Sequence, residues 1–465
     1  MMDDFKKIQD REAGLHKKLT AQQMSMIAIG GAIGTGLFLG SKFAISYAGP
    51  GVIVSYLIGG VITLSLMACL AEMTVQHPTS GSFAAYAEHY LHPIAGYLVR
   101  YSYWVCIVLA VGTEITAIAE YMKFWFKDLP SWIWIILFSL LIVSVNVCSV
   151  KTFGTVEYWL SAIKVFAIVA FILMSISIIF IESEQMKGIN AIIENRDWFP
   201  FGFKGIWIGV IISIFSYLSI EMIAVAAGEA KEPEKAVKYA FKATIFRLLI
   251  FYILSLSMIL ILVPWKTLVE EGTTSPFVTV MRLLDIPFAD SILNFVVIVA
   301  ALSAMNSMLY IATRMLFSLS RANDAPDSLG KIGKNGVPVN ALVVSSAGIA
   351  IATFVYIFYP QDAFAIMIAL SMFGALFTWL MIFITHLMFR YNLYKNNVKL
   401  KYRIIGFPIF TLFGIISLFS IMITTIFTDD FHLTMKFGSG FIIFLLFSYF
   451  FKQNSHRLKT ARSRS

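Results

Sequence analysis

Long apolar runs recur along the whole chain and are separated by shorter polar stretches. A helix needs about 20 consecutive, mainly apolar residues to cross the hydrocarbon core of a bilayer. The runs therefore predict an all-α, polytopic membrane protein with twelve transmembrane helices. The predicted spans are Gln22–Tyr47, Val52–Val75, Gly96–Met122, Ser131–Val150, Val156–Ile181, Gly205–Ala227, Ile245–Val263, Ser291–Phe317, Ala341–Tyr359, Ala363–Met388, Ile404–Phe427 and Thr434–Phe451.

The first run contains a cluster of glycines. Met24–Leu39 reads MSMIAIGGAIGTGLFL, with glycine at positions 30, 31, 34 and 36. Each glycine inside a helix costs about 1 kcal/mol relative to alanine. An interrupted helix is tolerated in a membrane where its freed backbone groups are buried in protein or line a watery cavity. The cluster predicts a helix broken near mid-membrane, although its GxxxG spacing is also typical of close helix packing.

A second interruption lies in the sixth run, where three serines, a tyrosine and a glutamate fall within Ser213–Glu221. At 1.5 Å per residue, Ala32–Gly36 and Phe215–Ser219 both lie about 15–20 Å into their helices. Because five helices separate these segments, the two halves of the chain would run in opposite senses. Paired interruptions in inverted halves are a pointer to a transport site.

Composition agrees with a membrane protein. Hydrophobic residues make up 58% of the chain and charged residues 14%, against about 25% charged in soluble domains. With both termini in the cytoplasm, most of the 36 Lys and Arg residues fall on the inner side, as the positive-inside rule requires. The net charge of +9 is therefore assigned to topology and not to a nucleic-acid partner. The three cysteines indicate neither a disulfide framework nor a metal site.

The predicted organisation has six parts. They are a cytoplasmic amino-terminal tail (1–21), helices 1–5 (22–181), an extracellular loop (182–204), helices 6–10 (205–389), helices 11–12 (390–451) and a basic cytoplasmic tail (452–465). Helices 1–5 and 6–10 would form the two inverted repeats.

Three stretches resemble one transporter family. They are IGGAIGTGLF in the first run, FSYLSIEMIAVAAGEAKEPEKA in the sixth, and AALSAMNSMLYIATRMLFSLSRANDAP at 300–326. In these motifs the chain resembles bacterial amino acid permeases of the amino acid–polyamine–organocation (APC) superfamily. The resemblance implies a LeuT-like core of five plus five helices in inverted repeat, with discontinuous helices 1 and 6 and with helices 11 and 12 at the periphery.

The resemblance also implies a substrate site between the two broken helices. The N–H groups of Thr35 and Gly36 and the Thr35 hydroxyl would bind a carboxylate, since a helix amino end carries positive partial charge. Backbone carbonyls on both sides would bind the ammonium, and Phe215 would cover the pocket as an aromatic gate. The predicted substrate-binding residues are Ala32, Ile33, Thr35, Gly36, Phe215, Leu218 and Ser219.

Two residues beside this predicted pocket differ from the family's common pattern. Ser219 and Ala224 stand where the family commonly has glycine, two residues before and three residues after Glu221. Each adds volume or a hydroxyl group near the pocket. The side-chain specificity of the family is therefore not carried over to this chain.

Three of the charged side chains inside predicted spans are of functional interest. A charge at the bilayer centre costs about 3 kcal/mol on insertion scales, so it is a candidate for function. Desolvation disfavours the charged form of Lys164, which would let it take and release a proton, and related proton-coupled permeases have a lysine in helix 5. Glu221 and Glu114 are the other proton-coupling candidates. The alternatives are a structural salt bridge for Lys164 and packing hydrogen bonds for the two glutamates.

These features predict a secondary active transporter that imports amino acids across the cytoplasmic membrane by proton symport and alternating access. Its partners would be an amino acid, protons and the lipid bilayer, with no cofactor, metal or nucleic acid. An amino acid exchanger and an amino acid sensor remain alternative functions. An enzyme is not predicted, because the apolar runs show no nucleophile–base pairing. The sequence leaves open which amino acid is bound and the oligomeric state.

Overall fold

The fold is that of a computed structural model of the chain, which describes residues 2–11, 33–79, 81–181, 186–221, 224, 244–245, 248–270 and 274–462. Regular structure in these ranges is helical, without a strand. The α-helices are α1 Met2–Arg11, α2 Thr35–Phe38, α3 Gly40–Ala48, α4 Val52–Gln76, α5 Ser82–Tyr90, α6 Pro93–Met122, α7 Ser131–Cys148, α8 Val150–Ile181, α9 Lys187–Asn195, α10 Gly202–Ser216, α11 Ser255–Leu262, α12 Trp265–Glu270, α13 Pro276–Leu283, α14 Ala289–Arg321, α15 Val339–Ser345, α16 Ala347–Phe358, α17 Ala363–Lys395, α18 Ile409–Ile426 and α19 His432–Arg462. Shorter 3-10 turns lie at Gly49–Gly51, Asp327–Gly330 and Asp429–Phe431, and a π-helical segment at Leu248–Leu254.

Nine helical segments of the described residues are long and apolar enough to cross a membrane. The first, Thr35–Gln76, is divided by the turn Gly49–Gly51, and α10 and Ile250–Leu262 are shorter apolar helices. Large apolar side chains cover the outside of the bundle, where Phe166 is 75% exposed and Phe447 is 73% exposed. Such a surface is stable against lipid, and the protein is therefore a polytopic membrane protein.

The centre of the bundle is formed by α6, α14 and α17. α6 packs along most of α14 and α17. α14 is buried almost throughout its length, whereas α7, α8, α18 and α19 bury a small part of their surface. Polar side chains inside the bundle therefore lie mainly on the three central helices or face them.

Some helices end beyond their predicted bounds. α17 continues past residue 389, the predicted end of the second repeat, to Lys395, and α19 continues through the predicted tail to Arg462. Within the predicted loop 182–204 lies the helix α9. Hydrophobicity marks where lipid contact ends, but a helix can continue into water as long as its backbone groups are paired.

The amino-terminal helix α1 packs against one end of the bundle, which we call the α1 end. Phe5 of α1 is 1% exposed and its ring contacts three aromatic rings, those of His77, Tyr86 and His89. Burial, with the nearby charges of His89 and Lys401, lowers the pKa of His77 to about 4. His77 is therefore neutral near pH 7, and α1 packs against an uncharged aromatic surface.

An ion pair also holds α1 in place. Two nitrogens of Arg11 donate to the two carboxylate oxygens of Glu88 on α5, at 3.0 and 2.8 Å, and Arg100 donates to Glu88 at 2.7 Å. Burial alone would raise the pKa of Glu88, but the hydrogen bonds and charges of both arginines outweigh it and lower the pKa to about 2. Because this pKa lies below the unfolded value of about 4.3, the pair stabilises docking above that pH and is lost only as pH falls through about 2.

Arg11→Ala is expected to loosen α1. Hydrogen bonds to charged groups contribute about 1.5–3 kcal/mol. Because Arg11 is partly exposed, we take the lower end of this range for the whole pair, so backbone amide exchange within α1 should rise at least roughly tenfold. The measurement is hydrogen–deuterium exchange at pH 7, with Lys6→Ala, an exposed cation of the same helix, as the control. Equal exchange in Arg11→Ala and the unchanged protein would show that the ion pair does not hold α1.

Candidate functional site

The start of α2 and the residue before it, Gly34, form one side of the candidate site. α2 begins at Thr35, and Gly34 before it is extended, with φ −130° and ψ −156°. A Cβ atom on Gly34 would lie 2.8 Å from a carboxylate oxygen of Glu114, so only glycine fits here without movement. Ile33, Thr35 and the residue after it are buried. Ala32 lies outside the described residues.

The end of α10 forms the other side. α10 ends at Ser216, and its hydroxyl donates to the carbonyl of Gly36 at 2.7 Å. The two backbones touch, because a Cβ atom on Gly36 would lie 2.6 Å from the Cα atom of Ser216. In the turn that follows, Ser219 has φ +73°, a left-handed conformation that favours glycine.

Glu114 of α6 binds the start of α2. The Thr35 backbone N–H donates to Oε2 of Glu114 at 3.3 Å, and the Thr35 hydroxyl donates to Oε1 at 3.0 Å. The first N–H groups of a helix have no partner within the helix and attract an anion. Here the group that occupies this position is the side-chain carboxyl of Glu114. The predicted carboxylate-binding residue and a predicted proton-coupling residue are therefore in direct contact.

Glu221 joins the turn after α10 to the central helices α6 and α17 by hydrogen bonds. It is fully buried and accepts hydrogen bonds from Tyr103 of α6 at 2.5 Å, from Trp379 of α17 at 3.2 Å and from the backbone N–H of Ser219 at 3.2 Å. Such hydrogen bonds are expected of a glutamate that holds the helix of the sixth apolar run against its neighbours. Its carboxylate also lies at the same turn as the predicted substrate residues.

The side chain of Lys164 on α8 contacts the backbone next to Gly34. Nζ donates to the backbone carbonyl of Ile33 at 3.0 Å and to the hydroxyl of Ser303 on α14 at 2.8 Å, and the residue is fully buried. A buried ammonium group is stable only when it is hydrogen-bonded or paired. The side chain of Lys164 is therefore hydrogen-bonded directly to the backbone beside Gly34.

Phe215, Leu218 and Ser219 lie together at the end of α10. Phe215 and Leu218 are 3% and 2% exposed, and the Leu218 N–H donates to the Phe215 carbonyl at 3.1 Å. The hydroxyl of Ser219 is buried and has no hydrogen-bond partner among the described residues. An unpaired buried hydroxyl costs about 1–3 kcal/mol, which a bound polar ligand would recover.

A cavity of about 340 Å³ lies at the end of the bundle opposite the α1 end. The cavity extends toward α2, since its lining includes Leu39, three residues after Gly36, and Thr116, two residues after Glu114. Its charged and polar side chains include Lys42, Glu120 and Tyr356. The cavity is therefore partly polar and lies next to the residue that follows α2, Leu39.

Sequence reasoning missed a buried carboxylate beside Lys164. Glu157 of α8 is fully buried and accepts hydrogen bonds from Ser161 at 3.1 Å, Ser303 at 2.5 Å and Asn306 at 3.0 Å. It precedes Lys164 by seven residues, which is two helical turns and therefore the same helix face. A glutamate and a lysine at this spacing inside an apolar run were the available signal.

Comparison with known proteins covers nearly the whole chain. The family model described as amino acid permease matches residues 23–464. The chain is 36% identical over 449 residues to the uncharacterized amino acid permease YtnA of Bacillus subtilis, covering 96% of both chains. It is 36% identical over 422 residues to the gamma-aminobutyric acid permease of Bacillus subtilis, covering 90% of both. It is 34% identical over 442 residues to the aromatic amino acid transport protein AroP of Escherichia coli K12, covering 95% of this chain and 96% of that protein.

Proposed function

This chain belongs to the amino acid permease family, and we propose that it imports amino acids across the cell membrane by proton symport. It is a membrane transporter and not an enzyme. Two relatives are named for gamma-aminobutyric acid and for aromatic amino acids. These compounds share a carboxylate and an ammonium group and differ in the rest of the molecule. The shared groups support a site that recognises both charges of the substrate.

The observation that carries the proposal is the contact of Lys164 with the backbone of Ile33. The ammonium group donates to that carbonyl at 3.0 Å, two residues before the helix start that would bind the substrate carboxylate. Loss of a proton from Lys164 would weaken its hydrogen bond to the Ile33 carbonyl, because a neutral amine is a weaker donor than an ammonium group. Proton release and movement of the substrate site would then occur together, as symport requires.

The substrate carboxylate would replace Glu114 at the start of α2. Thr35 already binds one carboxylate there through its N–H and its hydroxyl, so a second carboxylate can use the same donors. The ammonium would bind to backbone carbonyls of Ala32, Phe215 and Leu218. The hydroxyl of Ser219, buried at this turn without a hydrogen-bond partner in the described part of the chain, is available for the substrate.

The proposal includes the finer features of the fold. Twelve spans are supported because Thr35–Gln76, at 42 residues, is long enough for two crossings and two further apolar helices are shorter than a full span. A five-plus-five inverted repeat is supported by the contact between the two interruptions, at Gly36 and Ser216. Both termini would lie in the cytoplasm, which makes the α1 end the inner end and the cavity an outer vestibule.

The test is uptake into liposomes that contain the purified protein and no internal amino acid. One proton moved through 100 mV is worth about 2.3 kcal/mol, enough for roughly 50-fold accumulation of a neutral zwitterion. We expect gradient-driven uptake in the unchanged protein and its loss in Lys164→Ala. Lys204→Ala, which removes an exposed lysine, is the control. Competition by the twenty amino acids identifies the substrate.

Two results would contradict symport. If uptake requires internal amino acid and is the same in Lys164→Ala, the protein is an exchanger. If the purified protein binds an amino acid but shows no flux, it is a sensor. Proton symport predicts that an imposed proton gradient drives uptake without internal amino acid.

A further inference from the structure

Lys164 is one end of a continuous hydrogen-bonded path. Its ammonium donates to the hydroxyl of Ser303 at 2.8 Å, and this hydroxyl donates to Oε1 of Glu157 at 2.5 Å. All three side chains are fully buried. One hydroxyl thus bridges a basic and an acidic group, with its own proton directed at the carboxylate.

The path leads toward the α1 end of the bundle. α6 begins there, directly after α5, and the successive crossings of α6 and α7 return the chain to that end, where α8 starts at Val150. Glu157 and Lys164 lie seven and fourteen residues from this start, or about 10 and 21 Å along the helix. Glu157 is therefore the group closer to the α1 end.

Two asparagines continue the polar path beyond Glu157. Asn306 donates to Oε2 of Glu157 at 3.0 Å, and Asn146 donates to the Asn306 side-chain oxygen at 2.8 Å. Asn146 lies two residues before Cys148, where α7 ends with an exposed residue. The amides orient the carboxylate of Glu157 and place two polar side chains on the way to that end of the bundle.

We propose that Ser303 and Glu157 form a proton relay that takes the coupling proton from Lys164 toward the α1 end. This inference rests on the proposed function and on the proposed cytoplasmic position of that end. In the relay step the ammonium of Lys164 gives a proton to the oxygen of Ser303, while Ser303 gives its hydroxyl proton to Oε1 of Glu157. The products are a neutral amine, an intact serine hydroxyl and a carboxylic acid. The acid then releases its proton to water at the inner side.

Other ionisable groups face the relay from neighbouring helices. Glu114 of α6 is close enough to interact electrostatically with Lys164. Tyr310 of α14 stacks on Phe153 of α8 at 4.2 Å between ring centres. Glu114 is bonded to the start of α2, so it belongs to the substrate side of Lys164. Among the carboxylates in the described residues, Glu157 is the one that the Ser303 hydroxyl joins to this lysine.

A relay and a static counter-ion make different predictions. A static counter-ion needs only the charge of Glu157, whereas a relay also needs the hydroxyl of Ser303. Ser303→Ala keeps both charges and removes the bridge. Ser303→Thr restores a hydroxyl at the same position. The two substitutions therefore separate proton transfer from charge pairing.

The experiment uses the purified full-length protein in liposomes with a trapped pH-sensitive dye. Two rates are measured: acidification of the interior on adding amino acid outside, and exchange of labelled amino acid between equal pools. Positioned acid–base groups contribute about 10²–10⁴-fold to proton transfer, so Ser303→Ala and Glu157→Gln should lower acidification at least tenfold relative to exchange. Ser303→Thr should recover most of it. Ser175→Ala, a buried serine of α8 whose hydroxyl has no hydrogen-bond partner among the described residues, is the control.

The outcomes distinguish a failure of proton symport from a failure of the relay through Ser303 and Glu157. If the unchanged protein transports amino acid without acidifying the interior, proton symport fails and the relay fails with it. If the unchanged protein acidifies the interior and Ser303→Ala does so at the same rate per exchange event, the relay is wrong and symport stands. If Glu157→Gln does not fold, the comparison of alanine and threonine at position 303 still decides.

Discussion

Gly36→Ala is expected to reduce amino acid uptake at least about a hundredfold, since a misplacement of ~1 Å in a positioned site can cost that much. The added Cβ atom would lie 2.6 Å from the Cα atom and 3.1 Å from the backbone nitrogen of Ser216. Backbone atoms cannot move aside as a flexible side chain can. The start of α2 and the end of α10 would have to separate, which would also stretch the 2.7 Å bond between Ser216 and the Gly36 carbonyl.

Two other glycines serve as matched controls for this prediction. A Cβ atom on Gly40, one helical turn further along, would meet its nearest neighbour at an ordinary 3.6 Å, and Gly440 of α19 has open space around it. Gly40→Ala and Gly440→Ala should retain uptake within a few-fold of the unchanged protein. The measurement is initial uptake of radiolabelled amino acid, normalised to the amount of folded protein. Equal uptake by Gly36→Ala and Gly40→Ala would mean that the contact with Ser216 does not position the site.

Glu72→Gln is expected to destabilise the protein by about 3–5 kcal/mol, the usual cost of removing one partner from a buried ion pair. Glu72 of α4 is fully buried and accepts hydrogen bonds from Arg390 at 2.6 and 2.7 Å, from His386 at 2.7 Å and from the backbone N–H of Ile404 at 2.8 Å. The neutral amide would leave the largely buried guanidinium of Arg390, whose side chain is 10% exposed, without the counter-charge of Glu72. α4, α17 and the segment before α18 would then lose their common link.

The effect of Glu72→Gln is measured as the midpoint of thermal unfolding in detergent. Glu194→Gln is the control, because Glu194 is exposed on α9 and such residues typically change stability by less than about 0.5 kcal/mol. A clear fall of the midpoint for Glu72→Gln and none for Glu194→Gln is the expected result. Equal midpoints would show that Arg390 finds another partner or water when the carboxylate is removed.

The helical class and the family could be predicted from the sequence, and both predictions are confirmed. Apolar runs near 20 residues specify membrane helices because a lipid environment requires every backbone group to be paired within the helix. The positions of irregular backbone were also readable in part: Gly34 is extended, and α10 ends at Ser216 inside the predicted interruption. The roles of the site residues remain predictions.

The two explanations of the glycine cluster turn out to be compatible at the described positions. Gly36 allows close packing against Ser216, and Gly34 makes room for the carboxylate of Glu114. Close packing at Gly36 and an extended backbone at Gly34 therefore occur side by side in the same short segment. Glycine spacing could not show this, because it does not say which atoms lie opposite each position.

By itself, the sequence determined that this protein is a helical membrane protein of the amino acid permease family. These properties depend on hydrophobicity and spacing, which are local along the chain. Only the tertiary structure decided which polar groups meet, such as Thr35 with Glu114, 79 residues apart, and Ser303 with Glu157, 146 residues apart. Such contacts depend on the rotation and packing of whole helices, and a rotation of a single residue step, about 100°, would separate each pair.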